Sequence, residues 1–265
     1  MNVPQMKHQA SDSSVALLFS GGLDSTLAAT VLARSYDIVH LISVSRGYGH
    51  TKIERTATRL EELRSHVDGA AEFTHSILSG KELFRTIVLR TLARDIVRFR
   101  GLFVICVGCK LVMHTIGTIY CLEHGIPNIA DGASGATEWM SDQAPVTLEG
   151  YRQLHETFAI RYSNPVVNIN DREHAREALR RLGIRTGRKV AGRDLGTQPV
   201  CYYGDALTFL RESLFKVSLP VSDKAIGEYV ALKMPMLIRH VHRHFELVGQ
   251  NVTDRIRRLS ELKDV

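Results

Sequence analysis

Four cysteines in 265 residues are too few for a disulfide framework, which excludes a small disulfide-stapled scaffold and points to a reducing compartment with a metal or catalytic role for some of the thiols. No uninterrupted apolar run approaches the roughly 20 residues that cross a bilayer, and the polar first dozen residues lack the apolar centre of a secretory signal. A cytoplasmic location without a membrane partner is therefore expected. Internal repeats and low-complexity tracts are also missing. With 44% hydrophobic and 23% charged residues, the chain can bury a full core as one large domain or as a domain plus an appendage. A net charge of +6 and a pI near 9.2 permit a polyanionic partner without requiring one.

The chemistry starts at residue 20. Ser20-Gly21-Gly22-Leu23-Asp24-Ser25 follows the apolar run Val15–Phe19 and leads into Thr26–Leu32, which reads as a helix. A strand, a glycine turn and a helix N-terminus make an anion cradle, because the glycines let backbone N–H groups approach a phosphate and the helix end adds partial positive charge. The turn lacks the Lys-Ser/Thr pair of a Walker loop and the spacing of a dinucleotide Gly-x-Gly-x-x-Gly fingerprint. These residues resemble the signature of the PP-loop ATPases, the N-type ATP pyrophosphatase superfamily. That resemblance implies an enzyme that splits ATP between its α and β phosphates to adenylate a substrate oxygen. It implies that Ser20, Gly21, Gly22 and Ser25 hold pyrophosphate and that Asp24 lies near magnesium and the phosphates.

Along the chain, Ile38–Val44, Phe73–Leu78, Pro127–Ala130 and Asn164–Val167 read as strands. Between them lie helical patterns over 51–66, Glu82–Phe99 and Cys109–His124, the last stopping at Gly125. Strands separated by helices predict an α/β fold, a parallel sheet with helices on both faces. Beyond about residue 169 the strand signals fade into helical patterns at Asp171–Leu182, Asp205–Leu214, Ser222–Leu247 and Thr253–Leu262, with Pro235 expected to break or kink the third. The expected organisation is a flexible stretch over 1–13, a PP-loop domain over 14–168 and a mainly helical region over 169–265, with Gly183–Pro199 linker-like.

Cys106-Val107-Gly108-Cys109 opens a helix, where the helix dipole favours thiolates, and Cys201 lies 92 positions after Cys109. On the residues alone, this set suits a Cys₃His zinc site with His114, a dithiol redox pair, or unrelated core cysteines. Within the PP-loop superfamily it is similar to the iron–sulfur-dependent tRNA thiolases. That resemblance implies that Cys106, Cys109 and Cys201 hold a [4Fe–4S] cluster through three irons, leaving one iron open to an exogenous sulfur. Cys121, flanked by Tyr120 and Leu122, reads as core packing.

Asp131-Gly132 follows a predicted strand, where PP-loop enzymes carry a second nucleotide-facing motif, and Ser43–Gly47 ends the second strand, where relatives bind adenine through the backbone. The Asp131 segment departs from the Gly-His-x-x-Asp-Asp form of many tRNA thiolases. Arg172–Arg193 carries eight basic side chains against two acids, which suits either a tRNA-docking surface or a solvated helix with Glu–Arg pairs. His240, His242 and His244 read as an exposed basic helix face.

The leading expectation is thus ATP-dependent sulfur transfer, with Mg²⁺ on the phosphates, a sulfide or persulfide-protein donor, and tRNA or a small molecule as acceptor. Rival readings are a zinc-containing ligase resembling 7-cyano-7-deazaguanine synthase, a desulfurase acting on a thiolated base, and a non-catalytic adenine-nucleotide sensor. A homodimer fits the apolar helix faces as well as a monomer does.

Overall fold

The computed structural model describes residues 13–67, 71–186, 189–190, 193–194, 197–209 and 221–262. The chain begins with β1 (Ser14–Leu18), α1 (Leu23–Leu32), β2 (Ile38–Ser45), the short β3 (His50–Thr51), α2 (Thr56–His66) and β4 (Glu72–Ser79). There follow α3 (Lys81–Ile87), α4 (Leu92–Phe99), α5 (Phe103–His124), β5 (Asn128–Asp131), α6 (Pro145–Glu156), β6 (Arg161–Ser163) and α7 (Arg172–Arg181). Two-residue strands β7 (Lys189–Val190), β8 (Arg193–Asp194) and β9 (Val200–Cys201) precede α8 (Tyr202–Phe209), α9 (Asp223–Leu247) and α10 (Val252–Glu261).

Five parallel strands form the central sheet in the order β4-β2-β1-β5-β6. Val15, Leu17, Val39 and Leu41 are completely buried, as expected for strands covered on both faces. The order reverses between β1 and β5, so the crevice beyond their C-terminal ends is where such a sheet receives a ligand. The loops after β1, β2 and β5 all open there. Because α5 runs into β5, its N-terminal turns stand at the same end of the sheet.

α5 is the central helix. It is 22 residues long and contains an 18-residue stretch of mean hydropathy 1.6, long and apolar enough to cross a membrane by length and composition, which corrects the expectation drawn from uninterrupted runs. Here 78% of that stretch is buried inside the protein, between the sheet and α9. It ends at Gly125 with φ +67°, a left-handed cap that donates its N–H to the Cys121 carbonyl. Cys121 is fully buried in the same core.

Several expected elements differ. The pattern over Glu82–Phe99 is divided into α3, a 3-10 turn at Leu89–Thr91, and α4. At the break, Lys233 of α9 donates from Nζ to the Ile87 carbonyl at 2.7 Å, to Thr91 Oγ1 at 2.8 Å and to Asp95 Oδ2 at 2.6 Å. A carbonyl left free by the interrupted helix is thereby capped from 146 positions away. Asn164–Val167 is a turn, and the strand lies just before it as β6. The region after residue 169 is not purely helical, since it supplies β7, β8 and β9. α9 is assigned as one helix through Pro235, held by Tyr229, Leu237, Val241 and Phe245 in the core that it shares with α5. The pattern over Asp205–Leu214 corresponds to α8, and residues 210–214 lie outside the described residues, as do 1–12 of the expected N-terminal stretch.

Lys233 and Asp95 are each about 1% exposed, so removing one leaves the other charged and unpaired in the core. Lys233→Met should lower unfolding free energy by about 3–5 kcal/mol in chemical denaturation. Burial alone would raise the Asp95 pKa, yet the Lys233 and Thr91 hydrogen bonds hold it below its ordinary 3.8. A depressed folded-state value means that this stabilisation is complete above the unfolded value and is lost as pH falls through the folded one. The acid limb of a circular-dichroism titration should therefore steepen below about pH 4, and flatten in a Lys233→Met/Asp95→Leu double variant.

Candidate functional site

The turn after β1 is built as an anion cradle. Gly21 adopts φ +67°, and Gly22 is the N-cap of α1 with no side chain capping the first-turn N–H groups. Thr26 Oγ1 donates to the Gly22 carbonyl at 2.6 Å, and the Ser20 and Ser25 hydroxyls lie 3.1 Å apart at the rim. Asp24 stands half-buried in the first turn of α1, an oxygen donor of the kind that magnesium takes. Ser43 is turned to support: its hydroxyl donates to the Phe19 carbonyl at 2.8 Å and lies 3.0 Å from His75 Nε2.

Gly132 packs the β5 exit directly on the head of α1. A Cβ there would stand 2.7 Å from Ser25 N and 2.8 Å from Ser25 Cα, so only glycine allows this approach. Asp131, 1% exposed, accepts from Asn164 Nδ2 at 2.5 Å and from the Ala133 N–H at 2.9 Å, with Lys110 Nζ 3.5 Å away. Burial opposes its ionisation, but Lys110 and His114 hold its pKa well below the usual carboxylate range. The nearby buried Asp142 is shifted the other way, upward, because desolvation outweighs Lys110.

A segment from the far end of the chain straps both halves of the site together. Thr197 Oγ1 donates to the Gly21 carbonyl at 2.6 Å, and buried Arg59 donates from Nη2 to Thr197 Oγ1 at 3.0 Å. The Gln198 side chain occupies the space over Gly22 that any larger residue would need. Val200 and Cys201 then pair antiparallel with Thr51 and His50, and the Tyr202 N–H donates to the Gly49 carbonyl at 2.9 Å. Cys201 thus belongs to a strand, reached within four residues of a contact to the phosphate turn.

Arg46, at the exit of β2, joins Cys201 to the head of α5. Its Nη2 donates to Cys201 Sγ at 3.0 Å, and the guanidinium lies between the Phe84 and Tyr203 rings at 5.1 and 5.0 Å. The Gly204 N–H also donates to this sulfur, at 3.2 Å. Arg46 is 1% exposed, its Nε has no partner, and it forms no ion pair with a carboxylate among the described residues. Burial pushes the Cys109 thiol up to about 11 while Arg46 pulls against it. Cys106 is raised further, by burial first and then by Asp142. All three thiols lie within electrostatic reach of one another and of Arg46.

The Arg46 guanidinium, without an ion-pair partner among the described residues, is the one cation that works against burial and Asp142 to favour negative charge on these sulfurs. Among the described residues, no three His, Cys, Asp or Glu side chains converge tightly enough to hold a single ion. Three thiols that each bind a different iron of a cluster need not converge on one point, so Cys106, Cys109 and Cys201 are the residues that could hold a [4Fe–4S] group. His114, the fourth donor weighed for zinc, is engaged elsewhere. It is fully buried, with Nδ1 2.9 Å from His155 Nε2, Nε2 3.3 Å from Asp131 Oδ2, and its ring stacked on Tyr151 at 3.8 Å.

Sequence reasoning passed over Arg46, Lys110, Asp142, Arg59 and Thr197. Arg46 had one available signal, an arginine at the C-terminal end of a buried parallel strand, where ligand crevices form. In the basic segment, the described arginines largely meet acids: Arg176 pairs with Glu173, Arg181 with Glu177 at 3.1 Å, and Arg185 with Glu62 at 3.1 Å. Arg188 and the side chains of Lys189 and Arg193 lie outside the described residues. His244 pairs with Glu123 at 2.7 Å, a carboxylate remote in sequence.

No protein-family model matches the sequence, and no curated protein matches it. Among solved structures, the chain is similar to a 4-thiouridine synthetase in complex with RNA and bound ATP, with a TM-score of 0.54 and 16% identity over 86% of this chain. The match takes in 53% of the synthetase, so the chain spans about half its length. It is also similar to the U34-tRNA thiolase NcsA from Methanococcus maripaludis with its [4Fe–4S] cluster, at a TM-score of 0.43 and 17% identity over 85% of this chain and 72% of that one. The likeness shows a shared fold, a five-stranded parallel α/β sheet with helices around it.

Proposed function

We propose that this chain is an ATP-dependent sulfurtransferase that replaces a carbonyl oxygen of an RNA base with sulfur. One observation carries the reading: the strap that holds the phosphate turn through Thr197 also delivers Cys201 to Arg46 at the head of α5, so a nucleotide cradle and a thiol set share one crevice. The fold likeness to a synthetase crystallised with RNA and ATP supports the choice of acceptor.

In this reading the Gly21–Gly22 turn and the uncapped first turn of α1 bind the ATP phosphates, and Asp24 holds Mg²⁺ against them. The base oxygen bonds to the α-phosphorus, the bond to the β-phosphate breaks, and pyrophosphate leaves. Hydrosulfide then bonds to the base carbon, and AMP departs with the oxygen. Cys106, Cys109 and Cys201 would hold a [4Fe–4S] cluster, which when bound supplies an iron without a protein ligand for that sulfur. Lys110, kept charged by Asp131 and Asp142 despite its burial, places positive charge beside the nucleotide-facing turn. A reducing, cytoplasmic setting belongs to the same proposal.

The test is an anaerobic assay with ATP, sulfide and unmodified tRNA. AMP, pyrophosphate and thiolated base should form in equal amounts, with pyrophosphate release dependent on RNA. Turnover with a carboxylate and ammonia instead would favour a ligase, and nucleotide binding without turnover on RNA or small-molecule acceptors would favour a sensor. Either result contradicts the proposal.

A further inference from the structure

The turn at Leu89–Thr91 and the helix α4 carry Arg90, Arg94, Arg98 and Arg100, all exposed. Arg94 and Arg98, four residues apart within α4, lie along one side of that helix, about 6 Å apart in helical geometry, and Arg90 sits in the 3-10 turn that precedes it. The opposite side, with Phe99 and Ile96, is packed into the core. The only acid between Arg90 and Arg100 is Asp95, and it is spent on Lys233 in the interior, with one oxygen 3.4 Å from Arg94 Nε. Arg98 rests over the Phe99 ring at 5.2 Å, and among the described residues Arg90, Arg98 and Arg100 have no carboxylate partner. This is the reverse of α7, where glutamates answer the arginines.

Two further features mark the ridge. Arg100 occupies the left-handed cap of α4, at φ 54° and ψ 39°, although that conformation favours glycine and Gly101 is next in line. A cation is thereby kept at the point where the ridge turns toward α5. Cys106 is only six residues further on, so even a fully extended chain would keep the two within about 20 Å. Val97, 78% exposed between Arg94 and Arg98, leaves the ridge open.

We infer that the α4 arginine ridge, rather than the Arg172–Arg193 segment, is the surface on which the phosphate backbone of an RNA substrate docks. The inference rests on the sulfurtransferase reading for its occupant. Cations in a row, with Asp95 turned inward as the one acid among them, match a phosphate chain, and Arg100 stands six residues before Cys106, within about 20 Å of it along the chain.

Fluorescence anisotropy of the full chain with a labelled, unmodified tRNA transcript tests it. Arg94→Glu/Arg98→Glu should weaken binding by at least ~10-fold and lower the slope of log K against log salt by about two. Arg180→Glu/Arg181→Glu should change affinity by less than about twofold, both variants being checked for an unchanged thermal midpoint. Wild-type affinity in the α4 variant, or loss of binding only in the α7 variant, overturns the surface while leaving the RNA reading intact. A wild-type chain that binds no RNA but releases pyrophosphate with a small acceptor overturns the RNA reading and this surface with it. Binding of phosphatidylserine vesicles through α4, with no RNA binding, also refutes the inference.

Discussion

On the proposed function, Gly132→Ala should reduce AMP-forming turnover by about 10²-fold. The added Cβ would stand 2.7 Å from Ser25 N, 2.8 Å from Ser25 Cα and 3.0 Å from the Asp24 carbonyl carbon, all of them backbone atoms that cannot rotate aside. Either the β5 exit or the head of α1 must therefore shift. These are the elements carrying Asp131 and the uncapped N–H groups, and an ångström of misplacement at reacting groups costs on the order of 10²-fold. Gly21→Ala should act similarly, since it combines a left-handed φ of +67° with a Cβ 2.6 Å from the Thr197 carbonyl oxygen. The check is steady-state pyrophosphate release beside MgATP affinity, and an alanine enzyme with wild-type turnover would contradict the assignment of this junction to the nucleotide.

Arg46→Gln separates the sulfur half from the nucleotide half. If Arg46 is the counter-charge of the thiol set, its loss should lower iron retention and sulfur transfer about 10- to 100-fold while MgATP affinity stays within about twofold. Arg46→Lys should recover only part of this, because an ammonium keeps the charge but not the planar fork held between Phe84 and Tyr203. The iron-free protein should respond in the opposite sense. There Arg46 is a buried cation without a carboxylate, so glutamine relieves a desolvation cost and the thermal midpoint should hold or rise. A variant that loses stability in both forms and binds iron normally would make Arg46 a packing residue.

What was legible in the sequence was what is written contiguously. The strand, glycine turn and helix start over residues 14–32 could be read because they are neighbours, and Gly125 ended α5 because a left-handed cap is a local demand. Cys106 and Cys109 share one helix, but it begins at Phe103 and burial raises both thiols, so the thiolate form expected of a helix start is not favoured. The features missed depend on distant partners. The break after Ile87 is capped by Lys233 from 146 positions away, so the local pattern read as one helix. Thr197 meets Gly21 across 176 positions, and Arg46 meets Cys201 across 155. The charge of the 172–193 segment was counted correctly, but counting could not reveal that Arg185 is answered by Glu62 of α2. Nor could it distinguish that segment from α4, whose single acid is drawn inward by a lysine of α9.

The most direct test of the account is metal analysis after anaerobic reconstitution, carried out on the wild type and on Cys106→Ser, Cys109→Ser and Cys201→Ser separately. The account predicts about four iron and four sulfide per wild-type chain, with each substitution removing most of both. Zinc bound in place of iron, or full iron loading after the loss of Cys201, would contradict it.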